Sequence, residues 1–346
     1  MKKSFLSLLF IIPLLVTCGN FTEAQAAEGD VGYSVQAHIP ANQIDKRQTY
    51  FDLKMQPKQK QTVEIDVLNS SNEEIQVEAA INYASTNRTG VIDYTKNDLT
   101  KKDKSLKYPL PELAEIPDDQ KRLTIPVNGK KTVQVMIEMP AEKVDGVVLG
   151  AVEFKKKNTN ETKKTKGVSL KNEYSYIVGM QLSETDKQVK PHMNLLSIKP
   201  ALINYHTAIV AKLQNDQPVI LENLSIDAKV YQQNSDKFLY QTKKANMKMA
   251  PNSNFNYSVD WENQELKPGK YKVHLVAKNK EDKWEWTKEF TISSDQAKKA
   301  NKAALGLEKD YTWMYIVGGV LLFILLIITT YFVGKRAAKK KQENEK

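Results

Sequence analysis

The sequence predicts a mainly β chain: two immunoglobulin-like β-sandwich domains, a short stalk and one C-terminal transmembrane helix. Three observations carry that expectation. Apolar and polar residues alternate at period two through most of residues 30–292, the pattern of strands with one buried face. Gly, Pro, Asn and Asp punctuate the alternating runs as turns do. Two uncharged apolar stretches, one near each end, break the pattern and read as a leader and a membrane span.

At the N-terminus, Lys2 and Lys3 precede an apolar run from Phe5 to Val16, and Ala24-Gln25-Ala26 has the small-x-small form of a signal-peptidase site. Residues 1–26 are therefore expected to be a secretory signal, cleaved after Ala26. Lipoprotein processing at Cys18 in Leu15-Val16-Thr17-Cys18 is the rival, but Thr17 stands where that site prefers Gly or Ala. Cleavage removes the one cysteine, leaving no disulfide and no thiolate metal site.

Residues 28–187 read as the first sandwich. Val63, Ile65 and Val67 alternate, as do Ile75, Val77, Ala79 and Ile81, and then Val133, Val135 and Ile137. Asn128-Gly129 between two such runs predicts a two-residue hairpin turn. Gly146 to Phe154 is almost wholly apolar, so it is either buried on both faces or covered by an insertion. The insertion is expected over 88–120, where Leu106, Tyr108, Leu110, Leu113 and Ile116 form a small apolar set that lies down on a sheet.

Residues 190–294 read as the second sandwich, with seven strands over about a hundred residues, the count and spacing of an immunoglobulin-like domain. Trp284, Trp286, Phe290 and Ile292 share one face of the last strand and read as core rather than as a carbohydrate platform. Lys267-Pro268-Gly269 is a turn. Residues 295–312 are polar, Ala-rich and free of proline, a partly helical stalk.

Trp313 to Val333 carries no charge and at about 1.5 Å per residue spans roughly 30 Å, the thickness of a hydrocarbon core. Tyr311 and Trp313 mark one membrane interface and Tyr331, Lys335 and Arg336 the other. The basic tail over 334–346 predicts a type I orientation, tail in the cytoplasm and bulk outside. No L-P-x-T-G sorting motif precedes the span, so the span itself is expected to hold the chain. The leader and tail carry half of the net charge of +10, which leaves about +5 on the exported part. That excess is too thin and too spread to suggest nucleic acid. Its one concentration is Lys155, Lys156, Lys157, Lys163, Lys164, Lys166 and Lys171, read as a polar loop after Phe154 opposed by Glu161. Contact with anionic wall polymer and simple solubilisation both fit such a loop.

Catalytic patterns are missing: no HExxH, GxSxG, Walker A loop or Ser-x-x-Lys occurs. His38, His192, His206 and His274 are isolated in sequence, and the paired acids fall in loops. Neither an enzyme nor a cofactor or metal site is expected.

The strings YFDLKMQPKQKQTVEIDVLNSSNEEIQVEAAINYASTNRTGVIDY from Tyr50, DGVVLGAVEF from Asp145, MKMAPNSNFNYSVDW from Met247 and KPGKYKVHLVA from Lys267 resemble, in the same order, the WxL-interacting proteins of low-GC Gram-positive bacteria. The resemblance spans residues 31–346. It implies a peptidoglycan-binding domain followed by a host-binding domain, with the family boundary near 155–170, and partners among WxL-domain surface proteins, wall polymer and host extracellular protein. None of Trp261, Trp284, Trp286 and Trp313 is followed by x-Leu, which puts the chain on the interacting side. It departs from the family at Pro57-Lys58-Gln59, where Pro-Gly-Gln is expected, and Lys58 argues against a positive-φ turn there. The reading is a membrane-anchored adhesion or scaffold protein of the wall layer; the alternative is an extracytoplasmic chaperone assisting export or assembly of WxL surface proteins.

Overall fold

The computed structural model describes residues 31–157, 173–308 and 312–343. The expected leader over 1–26 with Cys18, the lysines at 163, 164, 166 and 171, and Tyr311 lie outside the described residues. The chain is mainly β. Its first part contains β1 (Tyr33–Ala37), β2 (Phe51–Lys54), β3 (Lys60–Asn69), β4 (Ile75–Thr86), β5 (Ile92–Lys96), a single turn α1 (Leu110–Leu113), β6 (Ala114–Glu115), β7 (Arg122–Ile125), β8 (Lys130–Glu138), β9 (Val147–Lys157) and β10 (Ser175–Ser183). The second contains β11 (Met193–Ile203), β12 (His206–Asn215), β13 (Leu221–Gln232), β14 (Phe238–Met249), β15 (Ser253–Asp260), β16 (Gly269–Lys278) and β17 (Lys283–Ile292), followed by α2 (Ser294–Ala303) and α3 (Thr312–Glu343).

In the first sandwich one sheet runs β1-β3-β8-β6 and the other β2-β10-β9-β4, with β5 and β7 sharing the far edge of β4. Period two decides which side chains meet between the sheets: Ile65 and Val67, Val133 and Val135, and Val152 and Phe154 are each essentially inaccessible. Burying a side chain of this size stabilises by about 1.5–3 kcal/mol. β9 is buried on both faces. Val148, Val152 and Phe154 enter the core, while Leu149 on the other face packs with Ala84 and with Ala250 of the second sandwich. The 88–120 insertion contributes Leu110 and Ile116 to the core, and α1 lies so close to β9 that a Cβ at Gly150 would meet Leu110 at 2.6 Å.

Two turn expectations fail here. Asn128-Gly129 is not a hairpin, because β7 pairs with β4 and β8 with β3, so the turn is a corner between opposite sheets. Asn128 does take φ +53, but Gly129 is needed for space, since a Cβ there would approach Pro126 to 2.6 Å. At Lys58 the positive φ survives the missing glycine: Lys58 sits at φ +61, within a turn closed by Gln59 N–H donating to Gln56 O at 3.0 Å. A lysine can occupy that region at a cost of about 1 kcal/mol, which the surrounding turn offsets.

The second sandwich sets β11-β12-β15 against β14-β13-β16-β17, so all seven expected strands are present. Trp284, Trp286 and Phe290 pack on its core but remain partly exposed, because β17 is the sheet edge. The expected stalk is in large part a packed helix. Ser293 and Gln296 form a capping box at the start of α2, Ala297 is buried, and Asn301 exchanges two hydrogen bonds with the backbone of Leu266. The sandwiches meet through a tight seam. Thr86 Oγ1 lies 2.6 Å from Ser253 Oγ and accepts from Ala250 N–H, Val147 N–H donates to Pro218 O, and Lys248 N–H donates to Gly90 O. Asp103 of the insertion, buried, accepts from Gln214 and Asn254. Within α3, Met314–Lys335 is 22 residues long and apolar enough to cross a membrane.

Candidate functional site

The lysine cluster was the strongest site expectation, and its first three members do not lie in a loop. Lys155, Lys156 and Lys157 are the last residues of β9, held between β4 and β10. Strand alternation sends Lys155 and Lys157 to one face, where Lys155 pairs with Glu173 and Lys157 with Glu78 at 2.7 Å. Arg122 Nε also lies 3.5 Å from Glu78. Lys157 first, and the neighbouring cations after it, hold the Glu78 carboxyl below the usual range. Lys156 faces the other way and donates to Val31 O. Apolar β9 ran into its lysines without a turn residue, so composition suggested a loop where the ladder continues. These three cations are largely spoken for, and exposed pairs of this kind contribute only about 0–1 kcal/mol to stability.

Larger concave surfaces lie elsewhere. A cleft of about 790 Å³ opens between β3, β8 and α1, lined by Ile81, Leu113, Ile116 and Met136 and flanked by the Lys60–Glu138 ion pair at 3.0 Å. A trough of about 850 Å³ runs over the outer face of β9 and β10 to the seam. Tyr50 and Tyr94 flank it, Gln48 and Gln181 supply amides, Lys46 and Arg47 stand at its rim, and Glu222 and Lys248 of the second sandwich, 2.6 Å apart, close one end. Burial first, and proximity to Tyr50 after it, push the Tyr94 phenol above its ordinary value, so its hydroxyl stays a protonated donor at neutral pH. Aromatic faces with a few amides give the trough the mixed lining of a ligand-binding surface, and of its cations Arg47 is paired with Asp45 and Lys248 with Glu222. Sequence reading missed this trough because its residues are scattered from Lys46 to Lys248; no local spacing brings them together.

The histidines isolated in sequence each find a neighbour. His38 Nε2 lies 2.9 Å from Asp66, His192 Nδ1 3.0 Å from Asp216, His206 2.6 Å from Asn263 and His274 3.1 Å from Thr287. Among the described residues no group of three or more His, Cys, Asp or Glu could hold a metal ion. Of the membrane-interface residues, Tyr331 and Lys335 are exposed on α3, while the side chains of Trp313 and Arg336 lie outside the described part.

Two family models match the chain in tandem: the peptidoglycan binding domain of WxL Interacting Protein over residues 33–156 and its host binding domain over residues 165–302. The chain belongs to the WxL-interacting proteins. Both matched families are binding domains, and the family is associated with the cell surface and wall. The match also exposes a mismatch of boundaries: β10 falls within the host-binding match, yet it is a strand of the first sandwich, paired with β9 from Ser175↔Lys155 to Ser183↔Val147. No curated protein matches the chain. Among solved structures, similarity extends to the E. coli chaperone DraB, at 11% identity and TM-score 0.26 over 75% of this chain and 98% of that one. It extends also to the CsuC-CsuE chaperone and tip-subunit complex of Acinetobacter baumannii, at 8% and 0.29 over 68% and 93%, and to the Pseudomonas aeruginosa CupB2 chaperone, at 11% and 0.26 over 68% and 93%. Overlaps this shallow bear on no functional question.

Proposed function

We propose that this WxL-interacting protein is a non-catalytic binding protein held at the Gram-positive membrane by α3, with its first sandwich on peptidoglycan, its second available to a host protein, and WxL-domain surface proteins as partners. The observation that carries the reading is the order of parts: two binding-domain matches followed by one helix long and apolar enough to span a bilayer, with basic residues beyond it. Peptidoglycan offers sugar rings, amides and carboxylates, and the Tyr50–Tyr94 trough offers aromatic faces, amides and cations to meet them. The lysine-rich stretch adds a longer-range attraction for anionic wall polymer. Because Lys155 and Lys157 are paired with carboxylates, that attraction falls mainly to Lys163, Lys164 and Lys166.

Co-sedimentation of the soluble ectodomain, residues 27–308, with purified walls tests both contacts. Tyr50→Ala with Tyr94→Ala is expected to weaken binding about tenfold at every salt concentration, since stacking and amide contacts are short-ranged. Gln at Lys163, Lys164 and Lys166 is expected to flatten the salt dependence instead, because screening at physiological ionic strength acts over about 8 Å. Release from walls on adding a WxL-domain protein would point to a chaperone-like cycle; binding of both together fits a scaffold. Wild-type binding by both variants would refute the assignment of these surfaces.

A further inference from the structure

We infer that the end of the second sandwich carrying the β11–β12 hairpin rests on the outer surface of the bilayer, with Tyr205 and Leu305 in the lipid headgroup layer. This rests on the reading of α3 as a membrane span. Strand register identifies the end concerned. β12 and β15 pair from Asn215↔Ser253, at the seam with the first sandwich, to Ala208↔Asp260 at the opposite end, and the ten residues of β12 separate the two ends by roughly 30 Å. The first sandwich therefore meets one end, and the chain departs for the membrane from the other.

That departure is fastened residue by residue. Leu305 N–H donates to Tyr205 O at 2.9 Å, Glu308 N–H donates to Asn263 O at 3.0 Å, and Gln264 Nε2 donates to the Glu308 carboxylate at 2.7 Å. The chain is thus tied to the sandwich as far as Glu308, and α3 begins at Thr312. Four peptide steps reach at most about 14 Å, while the headgroup layer alone is about 5–8 Å deep. A tether this short holds the sandwich end against the lipid.

The side chains at that end suit the surface. Tyr205 is 63% exposed and Leu305 60%, and their backbones are joined by the hydrogen bond just described. Asn204 and Tyr205 form the two-residue turn with φ of +50 and +66. Asn adopts this region readily, but an aromatic residue does so at a strain that no packing of this exposed ring repays. Tyrosine, apolar in body and polar at its tip, is enriched at membrane interfaces. Both side chains are uncharged, so the contact rests on Tyr205 and Leu305 rather than on lipid charge.

The mature chain lacks cysteine once the leader with Cys18 is removed, so one introduced cysteine can carry a unique fluorophore. Full-length protein is labelled at Glu262→Cys or at Val127→Cys in the first sandwich and reconstituted into phosphatidylcholine vesicles doped with a headgroup-nitroxide lipid. Quenching is expected to be several-fold stronger at 262 than at 127 and to persist in high salt. Tyr205→Asn, which suits the turn, combined with Leu305→Ser should lower the 262 signal measurably while the short tether keeps it above the 127 level, and Tyr205→Trp should hold it at the wild-type level. Equal quenching at the two positions, or a 262 signal indifferent to the double substitution, overturns the inference. Extraction of the unlabelled chain from vesicles by carbonate would count against the span itself.

Discussion

The two sandwiches are built on one seven-strand frame. β1-β3-β8 against β7-β4-β9-β10 in the first corresponds strand for strand to β11-β12-β15 against β14-β13-β16-β17 in the second. Each frame is locked at the same corner by a buried asparagine. Asn69 Nδ2, at the end of β3, donates to Glu73 O, Ile125 O and Pro126 O; Asn215 Nδ2, at the end of β12, donates to Val219 O and Ala250 O. In both, a second asparagine with positive φ, Asn128 or Asn252, leads into the next strand. The difference lies in what is added. The first sandwich gains a parallel strand β2, the 88–120 insertion and the edge strands β5 and β6, and with them its cleft and the trough. The second gains a helix, α2, and a short connection to α3. The shared frame supplies stability, and the additions supply surfaces.

The sharpest way to break this comparison is to cut it in the wrong place. A fragment of residues 33–156 lacks β10, which buries Val178, Met180 and Leu182 and holds β2. At about 1.5–3 kcal/mol for each buried side chain, the loss rivals a whole domain's stability of 5–15 kcal/mol. This fragment is expected to show no cooperative thermal transition, whereas residues 28–187 should melt as a unit.

Next in size are the corner asparagines. Asn69→Ala or Asn215→Ala strands buried carbonyls, at about 1–3 kcal/mol each. Denaturant melts of the two corresponding fragments should show similar losses, and a large loss in one with none in the other would break the equivalence. A smaller contrast concerns pH. Burial opposes ionisation of Asp66, but Lys130, Thr132 and His38 outweigh it and hold its pKa at about 2. Its folded pKa is thus depressed, so its stabilisation is complete above about pH 4 and is lost as pH falls toward 2. The second sandwich has Lys212 at the matching position, three before Asn215. Thermal melts of the first fragment should therefore lose stability over that window, and Asp66→Asn should flatten the loss. The smallest change expected is a gain: Lys58→Gly relieves the positive φ and should stabilise by about 1 kcal/mol.

Period-two alternation made the strands legible because it reports one buried face, and it did so for β3, β4 and β8 and for all seven strands of the second sandwich. It does not report which sheet a strand joins. For that reason Asn128-Gly129 read as a hairpin while the chain crosses between sheets there. Charge hid the end of β9, since lysines on an exposed strand face look like a loop until Glu78 and Glu173 are brought beside them. Ala-rich α2 read as a stalk because a single buried residue, Ala297, together with the side chain of Asn301, fastens it. The trough was invisible to local reading, as Tyr50, Tyr94 and Lys248 come together only when the seam closes.

The central claim is that the elaborated sandwich, not the bare one, grips the wall. Fragments 28–187 and 188–308, each first shown to melt cooperatively, would be sedimented with purified peptidoglycan at physiological salt. The account predicts that the first fragment pellets with the walls and the second stays in the supernatant. Pelleting of the second fragment as strongly as the first, or failure of the folded first fragment to pellet, would contradict it.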